Sequence, residues 1–159
     1  MDNQTQTFWG ILGQEAQTME SVAELVTIIA DALGPRREIL EAYLFGSHAR
    51  DTSHAHSDVD IAVFIEKGSA QAGLFGYKSE LTATLMSALG TNSVDVVILN
   101  DAPPLLYHRV LRDGKRLLSR NLQATTVREG RALSRFCDFA PQLARIDAAL
   151  STADSHGGL

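Results

Sequence analysis

The sequence has one cysteine, Cys137, among 159 residues, so no disulfide can form within the chain and the fold does not need an oxidising compartment. It has no apolar run long enough to span a bilayer, and its first residues lack the basic flank and apolar core of a signal peptide. Basic residues are fewer than acidic ones, 14 against 19, which argues against direct nucleic-acid binding. These absences predict a cytoplasmic protein that binds neither membrane nor nucleic acid.

The chain has the length of one domain, and its apolar periodicity predicts alternating helices and strands. The first predicted elements are a helix over 19–33, ended by Gly34-Pro35, and two strands at Ile39–Phe45 and Val59–Ile65. A helix over 74–89 follows, closed by Gly90, and then a strand at Val94–Leu99. The last predicted elements are a helix that Asp101 caps and Gly114 ends, an edge strand at Arg116–Ser119, and a helix from about Leu122 that Pro141 breaks or kinks.

This order of elements indicates an α/β (α+β) domain with a small mixed β-sheet flanked by helices and followed by C-terminal helices. The predicted segments are a flexible tail at 1–16, the core at 17–120, a C-terminal helical segment of the same domain at 121–151, and a frayed tail at 152–159.

Three aspartates stand on segments that otherwise predict strands. Asp58 and Asp60 are two positions apart at the start of the second strand, so they point to one face, and Asp95 interrupts the third strand. Two like charges about 4 Å apart cost about 1 kcal/mol in water and about 4 at an effective dielectric near 20. Such a cluster needs a raised pKa, a basic partner such as Arg50 or Lys67, or a divalent cation. Magnesium, as two ions, fits the carboxylates best.

Gly46 and Ser47 follow the first strand directly. Glycine lets the backbone approach a phosphate closely, a helix that begins at Ser47 would direct N–H groups at an anion, and Arg50 lies one turn further on. Taken alone, a Gly-Ser pair is usually a turn, and an Asp-x-Asp is usually a solvated strand end or a cap. The combination of both motifs with an aspartate on a third strand is much more specific.

The segment YLFGSHARDTSHAHSDVDIAVFI resembles the Gly-Ser-x10-Asp-x-Asp signature of the minimal nucleotidyltransferases of the DNA polymerase beta superfamily. The downstream segments DAPPLLYHRVLRDGKRLLS and RFCDFAPQLARIDAAL are similar to the second half of the MntA-type antitoxins, so the resemblance covers about residues 20–150.

The resemblance implies an antitoxin that transfers AMP from ATP to a tyrosine of a HEPN-type RNase toxin, with which it is expected to form a hetero-oligomer. It implies that Gly46 and Ser47 hold the triphosphate, that Asp58 and Asp60 ligate magnesium, and that Asp95 completes the metal site and helps deprotonate the attacking hydroxyl. One position departs from the family. Glycine often follows the arginine of this loop, but here Asp51 does, and a carboxylate there is expected to reduce nucleotide affinity unless it points away.

Two other functions stay open. The chain could neutralise its toxin by contact alone, with a vestigial site, or it could modify a small molecule as the antibiotic nucleotidyltransferases do. The second alternative needs an acceptor pocket for which the chain has little sequence left.

Other chemically capable residues have plainer interpretations. His48, His54 and His56 are more typical of an exposed loop than of a zinc cluster, and Cys137 is expected to be a packed small hydrophobe. The tyrosines Tyr43, Tyr77 and Tyr107 are expected in the core. Three arginines share one side of the last helix, either as a solvated face or as a docking patch for an acidic partner: Arg128, Arg131 and Arg135.

Overall fold

The structure, a computed structural model, describes residues 22–50, 57–70 and 73–154. The predicted tail at 1–16, the loop residues Asp51, His54 and His56, and the chain from 155 onward lie outside the described residues. The described part is a four-stranded mixed sheet with helices on both faces, which confirms the α/β (α+β) prediction. Within these ranges, no helix combines the length and the apolarity that crossing a membrane requires.

The four strands are β1 (Ile39–Phe45), β2 (Val59–Ile65), β3 (Val94–Ile98) and β4 (Lys115–Ser119), in the spatial order β3-β2-β1-β4. Strand β1 is antiparallel to both of its neighbours, whereas β2 and β3 are parallel. The two central strands have the predicted bounds because both are β-branched or aromatic runs that end at polar residues or glycine.

One face of the sheet packs against α1 (residues 22–33) and α3 (Gly73–Leu89). Both helices place an apolar stripe on this face, and the fully buried side chains there include Ile29, Leu33, Ile61, Leu81 and Leu85. Burying large aliphatic side chains contributes about 1.5–3 kcal/mol each. This layer is therefore the main hydrophobic core.

The opposite face carries α4 (Pro104–Asp113) and α5 (Leu122–Asp154). Tyr43 and Ala62 of the sheet pack here with Tyr107, Val110 and Ala132 of the two helices. The burial of Tyr43, Tyr77 and Tyr107 confirms that the three tyrosines belong to the core. Helix α5 has 33 residues and is therefore about 50 Å long, much longer than the sheet it covers.

Two local predictions about helix ends are wrong. Asp101 does not cap α4, because it belongs to a short 3₁₀ helix (Leu99–Asp101) and Pro103 occupies the N-cap position without a side-chain hydrogen bond. Pro141 does not break the last helix, which continues through it to Asp154, so of the two predicted effects only a kink stays a prediction. A proline at this position removes the helical hydrogen bond to the carbonyl of Cys137, a residue that is exposed.

The exposure of Cys137 also overturns the prediction that its side chain packs in the core. Most residues of α5 between 133 and 146 are exposed. Periodicity alone assigns an inward side to this part of the helix, whereas in the structure only a few of these residues are partly buried.

Arg120, directly after β4, joins α1 to the sheet. Its guanidinium donates to the backbone carbonyls of Gly34 at 2.7 Å, Arg36 at 3.3 Å and Ile39 at 3.2 Å. These carbonyls lie after the end of α1 and at the start of β1, where no helical donor is available. One side chain thus stabilises the α1–β1 connection.

Candidate active site

The site begins where β1 ends, at the one-turn helix α2 (Gly46–Ala49). Gly46 has a φ of +73°, and a β-carbon built on it would stand 1.9 Å from Oδ2 of Asp60. Phe45 and Asp60 are register partners in the antiparallel pair of β1 and β2, which brings the carboxylate to the glycine backbone. Glycine is required here both by its backbone conformation and by this close approach.

Asp60 and Asp95 are brought together by the parallel pairing of β2 and β3. They are register partners, and adjacent strands lie about 4.8 Å apart, so the two carboxylates stand side by side at the start of their strands. Side chains alternate along a strand, so Asp60 shares the sheet face of Ala62, the face that α4 and α5 cover. Asp58 precedes the first residue of β2 and is exposed.

Electrostatics show that the three acids act on one another. Burial raises the pKa of Asp60, and the neighbouring charges of Asp95 and Asp58 raise it further, while His48 and Arg50 oppose the shift. A raised pKa means that the charged form of Asp60 is disfavoured in the protein as it stands. Positive charge brought to this carboxylate would therefore be bound favourably.

Lys78 of α3 brings positive charge to the neighbouring carboxylate, that of Asp95. Its Nζ lies 3.1 Å from Oδ1 of Asp95, and both side chains are about half exposed. Lys78 is not one of the two basic partners that the sequence predicts, which are Arg50 and Lys67. Lys78 is 17 residues from Asp95, and the contact depends on how α3 packs against β3, which local pattern does not reveal.

The predicted phosphate-binding residues lie around α2. Ser47 is the second residue of α2, and its carbonyl accepts from the backbone N–H of Arg50 at 3.2 Å. Arg50 is exposed, and its charge opposes the rise in the pKa of Asp60. The hydrogen bond from Arg112 is the main cause that lowers the pKa of Asp113 at the end of α4, and the charge of Arg50 adds to this effect. Arg50 therefore stands within electrostatic reach of both the acid cluster and α4.

His48 has a connecting position. Its Nε2 lies 3.2 Å from the carbonyl oxygen of Ser57, the residue that precedes Asp58, so the ring bridges α2 to the start of the acid motif. No group of three or more His, Cys, Asp or Glu side chains in the described ranges is arranged to hold a metal ion. A zinc cluster at His48 gains no support from the described residues.

A divalent cation nevertheless fits the chemistry of the acids. Asp58, Asp60 and Asp95 are hard oxygen donors of the kind that magnesium takes, and burial together with the charges of the other two acids raises the pKa of Asp60. The three carboxylates do not form a complete ligand set in this structure, since Asp95 is paired with Lys78. The residues present therefore fit magnesium as a set of donors, most directly at Asp58 and Asp60.

Sequence reasoning also missed a buried charge on the same sheet face. Glu41 of β1 is fully buried and pairs with Arg128 of α5, and the hydroxyl of Tyr43 donates to its Oε2 at 3.1 Å. Arg128 also lies over the ring of Phe64, 5.0 Å from its centroid. Arg128 is therefore not part of a solvated helix face, whereas Arg131 and Arg135 are exposed.

The fold and the site together define a class of protein. A glycine-serine turn after one strand, with two aspartates paired on the next two strands, is the arrangement that the sequence motif predicts. The family model described as "Polymerase beta, Nucleotidyltransferase" matches residues 28–123. The chain belongs to this nucleotidyltransferase family.

Individual relatives within the family are similar to this chain in sequence and in structure. The chain is 33% identical over 94 residues to the protein adenylyltransferase MntA of Shewanella oneidensis, a match that covers 59% of this chain and 62% of the relative's own length. A chain of a crystal structure of a toxin–antitoxin with AMP-PNP is 29% identical, with a TM-score of 0.66 over 79% of this chain and 98% of that one.

A further structure holds a tri-AMPylated HEPN toxin of Shewanella oneidensis in complex with its MNT antitoxin. One of its chains is 25% identical to this one, with a TM-score of 0.58, and the match covers 84% of this chain and 98% of that chain. The chain is thus similar over most of its length to proteins solved in toxin–antitoxin complexes.

Proposed function

We propose that this chain is an antitoxin that transfers AMP from ATP to a tyrosine of a HEPN-type RNase toxin and thereby neutralises it. The observation that carries the proposal is the contact of Gly46 with the Asp60 carboxylate, with Asp95 as the register partner of Asp60. The similarity to a protein adenylyltransferase and to chains of toxin–antitoxin structures supports this acceptor rather than a small molecule.

In this proposal, the backbone of Gly46 and the hydroxyl of Ser47 hold the triphosphate of ATP, and Arg50 contacts a phosphate oxygen. Gly46 suits this role because its left-handed backbone forms the turn that begins α2, and no side chain separates this turn from the Asp60 carboxylate. Arg50 is exposed at the end of α2 and is free to turn toward an anion. These residues would position the α-phosphate beside the acids.

Asp58 and Asp60 are proposed as the ligands of two magnesium ions, with Asp95 as a third ligand. Bound magnesium would supply positive charge against the phosphates and against the repulsion that raises the pKa of Asp60. The tyrosine oxygen forms a bond to the α-phosphorus, the bond from that phosphorus to the β-phosphate oxygen breaks, and pyrophosphate leaves. Asp95 takes the proton of the hydroxyl once it is released from its pair with Lys78.

The test is transfer of label. The purified chain is incubated with labelled ATP, magnesium and the helical protein encoded by the adjacent reading frame, and label on that protein is measured. We expect labelling that Asp58→Asn plus Asp60→Asn abolishes. Asp138→Asn, which changes an exposed aspartate on α5, is the matched control and should leave labelling unchanged. Absence of label, or equal label with the double variant, would contradict the proposal.

One observation favours a second candidate, an antitoxin that acts by contact alone. Asp95 is paired with Lys78, and the described acids do not form a complete metal site. Neutralisation in cells separates the two candidates. If contact suffices, the Asp58/Asp60 double variant still protects against the toxin; if transfer is needed, it fails while remaining folded and bound to its partner. The cytoplasm remains the proposed location for either function.

A further inference from the structure

We propose that the chain has a second ligand site, separate from the aspartates, that binds a phosphorylated small molecule of nucleotide size. The site is a cavity of about 520 Å³ between α5 and the far end of the sheet, here called the arginine pocket. The residues of the pocket that bear on the argument are Phe64, Leu99, Arg128, Arg131, Ala132 and Arg135.

The charge of the arginine pocket is its first distinguishing property. The side chain of Arg128 is neutralised by the buried Glu41, but Arg131 and Arg135 are exposed and have no acidic partner among the described residues. None of the described residues that line the cavity is an aspartate or a glutamate. The chain as a whole carries a formal charge of −5, so the positive charge of this pocket is opposite in sign to the net charge of the chain. An anionic ligand would neutralise it.

The arrangement of donors favours a phosphate over a carboxylate. One guanidinium suffices to bind a carboxylate through two parallel hydrogen bonds. The pocket offers two unpaired guanidinium groups one helical turn apart, at Arg131 and Arg135, together with the hydroxyl of Ser134. A phosphate group has enough oxygens, pointing in different directions, to accept hydrogen bonds from all three.

The size and the walls of the pocket indicate that the ligand carries an organic part. A cavity of about 520 Å³ is larger than an inorganic phosphate needs and falls in the usual range for small-molecule sites, about 300–1,000 Å³. Phe64, Leu99 and Ala132 supply apolar contact area. The side chain of Asn100 is fixed by two hydrogen bonds to the backbone of Ile65, which gives the pocket a firm edge.

The arginine pocket is distinct from the candidate active site. Phe64 lies four residues after Asp60 on β2, and a strand rises about 3.3 Å per residue, so the two sites are about 13 Å apart along the strand. Ala62, between them on the same face, is fully buried under α4 and α5. The proposal concerns binding alone, so its outcome does not depend on whether the chain transfers AMP.

The test is calorimetric titration of the purified chain with AMP, and separately with inorganic phosphate, in EDTA to suppress metal-dependent binding at the aspartates. We expect AMP to bind, and Arg131→Ala plus Arg135→Ala to weaken binding by about tenfold or more because two charged donors are lost. Arg145→Ala, which changes an exposed arginine further along α5 and outside the pocket, is the matched control and should bind normally.

A second comparison concerns the size of the ligand, and inorganic phosphate should bind more weakly than AMP. The proposal is overturned if neither probe binds, if the variant with both Arg131 and Arg135 replaced binds AMP as tightly as the unaltered chain, or if the Arg145 control loses binding equally. Both arginines are exposed, so circular dichroism should show that the double alanine variant is folded.

Discussion

Replacement of Arg128 by methionine tests how much of the protein's stability depends on a counter-charge for the buried Glu41. Glu41 is completely buried in the central strand β1, and Arg128 is its only cationic partner among the described residues. The hydroxyl of Tyr43 donates to Glu41 but carries no charge. Arg128→Met therefore leaves a carboxylate buried without a counter-charge.

The expected loss of stability in Arg128→Met follows from these contacts. Removal of one partner of a buried ion pair costs about 3–5 kcal/mol, and the cation–π contact with Phe64 adds about 0.5–1 kcal/mol. A domain of this kind has a total stability of about 5–15 kcal/mol. Arg128→Met should therefore remove a large share of the stability or unfold the protein.

The assay is equilibrium unfolding in urea, followed by circular dichroism. The midpoint should fall steeply in Arg128→Met with little change in slope. Arg131→Met, three residues further on at an exposed position, is the matched control and should change the unfolding free energy by no more than about 0.5 kcal/mol.

A double replacement, Glu41→Leu plus Arg128→Met, removes both charges together. It should recover most of the stability, since apolar substitutes for a buried pair are often neutral. In this variant the Tyr43 hydroxyl can donate to Oε1 of Glu129, which lies 2.9 Å away. A single variant that loses less than about 1 kcal/mol, or a double variant as unstable as the single one, would refute the reasoning.

Three further replacements test other parts of the structure. Gly46→Ala should lower the unfolding free energy by about 1–2 kcal/mol for its left-handed backbone and by more for the clash with Asp60, and an unchanged urea midpoint would contradict the geometry of this turn. Tyr107→Phe should raise the melting temperature by about 2–4 °C for each kcal/mol gained, because the buried hydroxyl has no hydrogen-bond partner in the described part of the chain. A lower melting temperature would show that the hydroxyl is satisfied. Lys78→Met should change stability by less than about 1 kcal/mol, because the pair is half exposed, yet lower the magnesium concentration needed for half-maximal labelling by freeing Asp95. Unchanged magnesium dependence would show that Lys78 does not compete with the metal.

The sheet and the motif of the site could be predicted because their causes are local. The β1 and β2 segments are apolar runs bounded by glycine or aspartate, so their pattern predicts where each strand begins and ends. The proximity of Gly46, Asp60 and Asp95 follows once the strands are ordered, since the motif places each residue at a strand end.

The pairs that could not be predicted are those that depend on packing between distant segments. Arg128 and Glu41 are 87 residues apart, and nothing in the local sequence of either indicates the other. The exposure of Cys137 depends on where the body of the protein ends beneath α5. The capping prediction at Asp101 failed for a local reason, because a 3₁₀ turn follows β3 directly.

The pairing of Glu41 with Arg128 also bears on the order in which the chain folds. Synthesis begins at the N-terminus, so β1 and β2 leave the ribosome well before Arg128 does. Until α5 emerges, the sheet face that this helix covers stays open, and Glu41 lies there without its counter-ion. We therefore expect that the four strands do not fold autonomously. A fragment cut at residue 123, where the family model ends, lacks Arg128 and should stay incompletely folded until α5 is supplied.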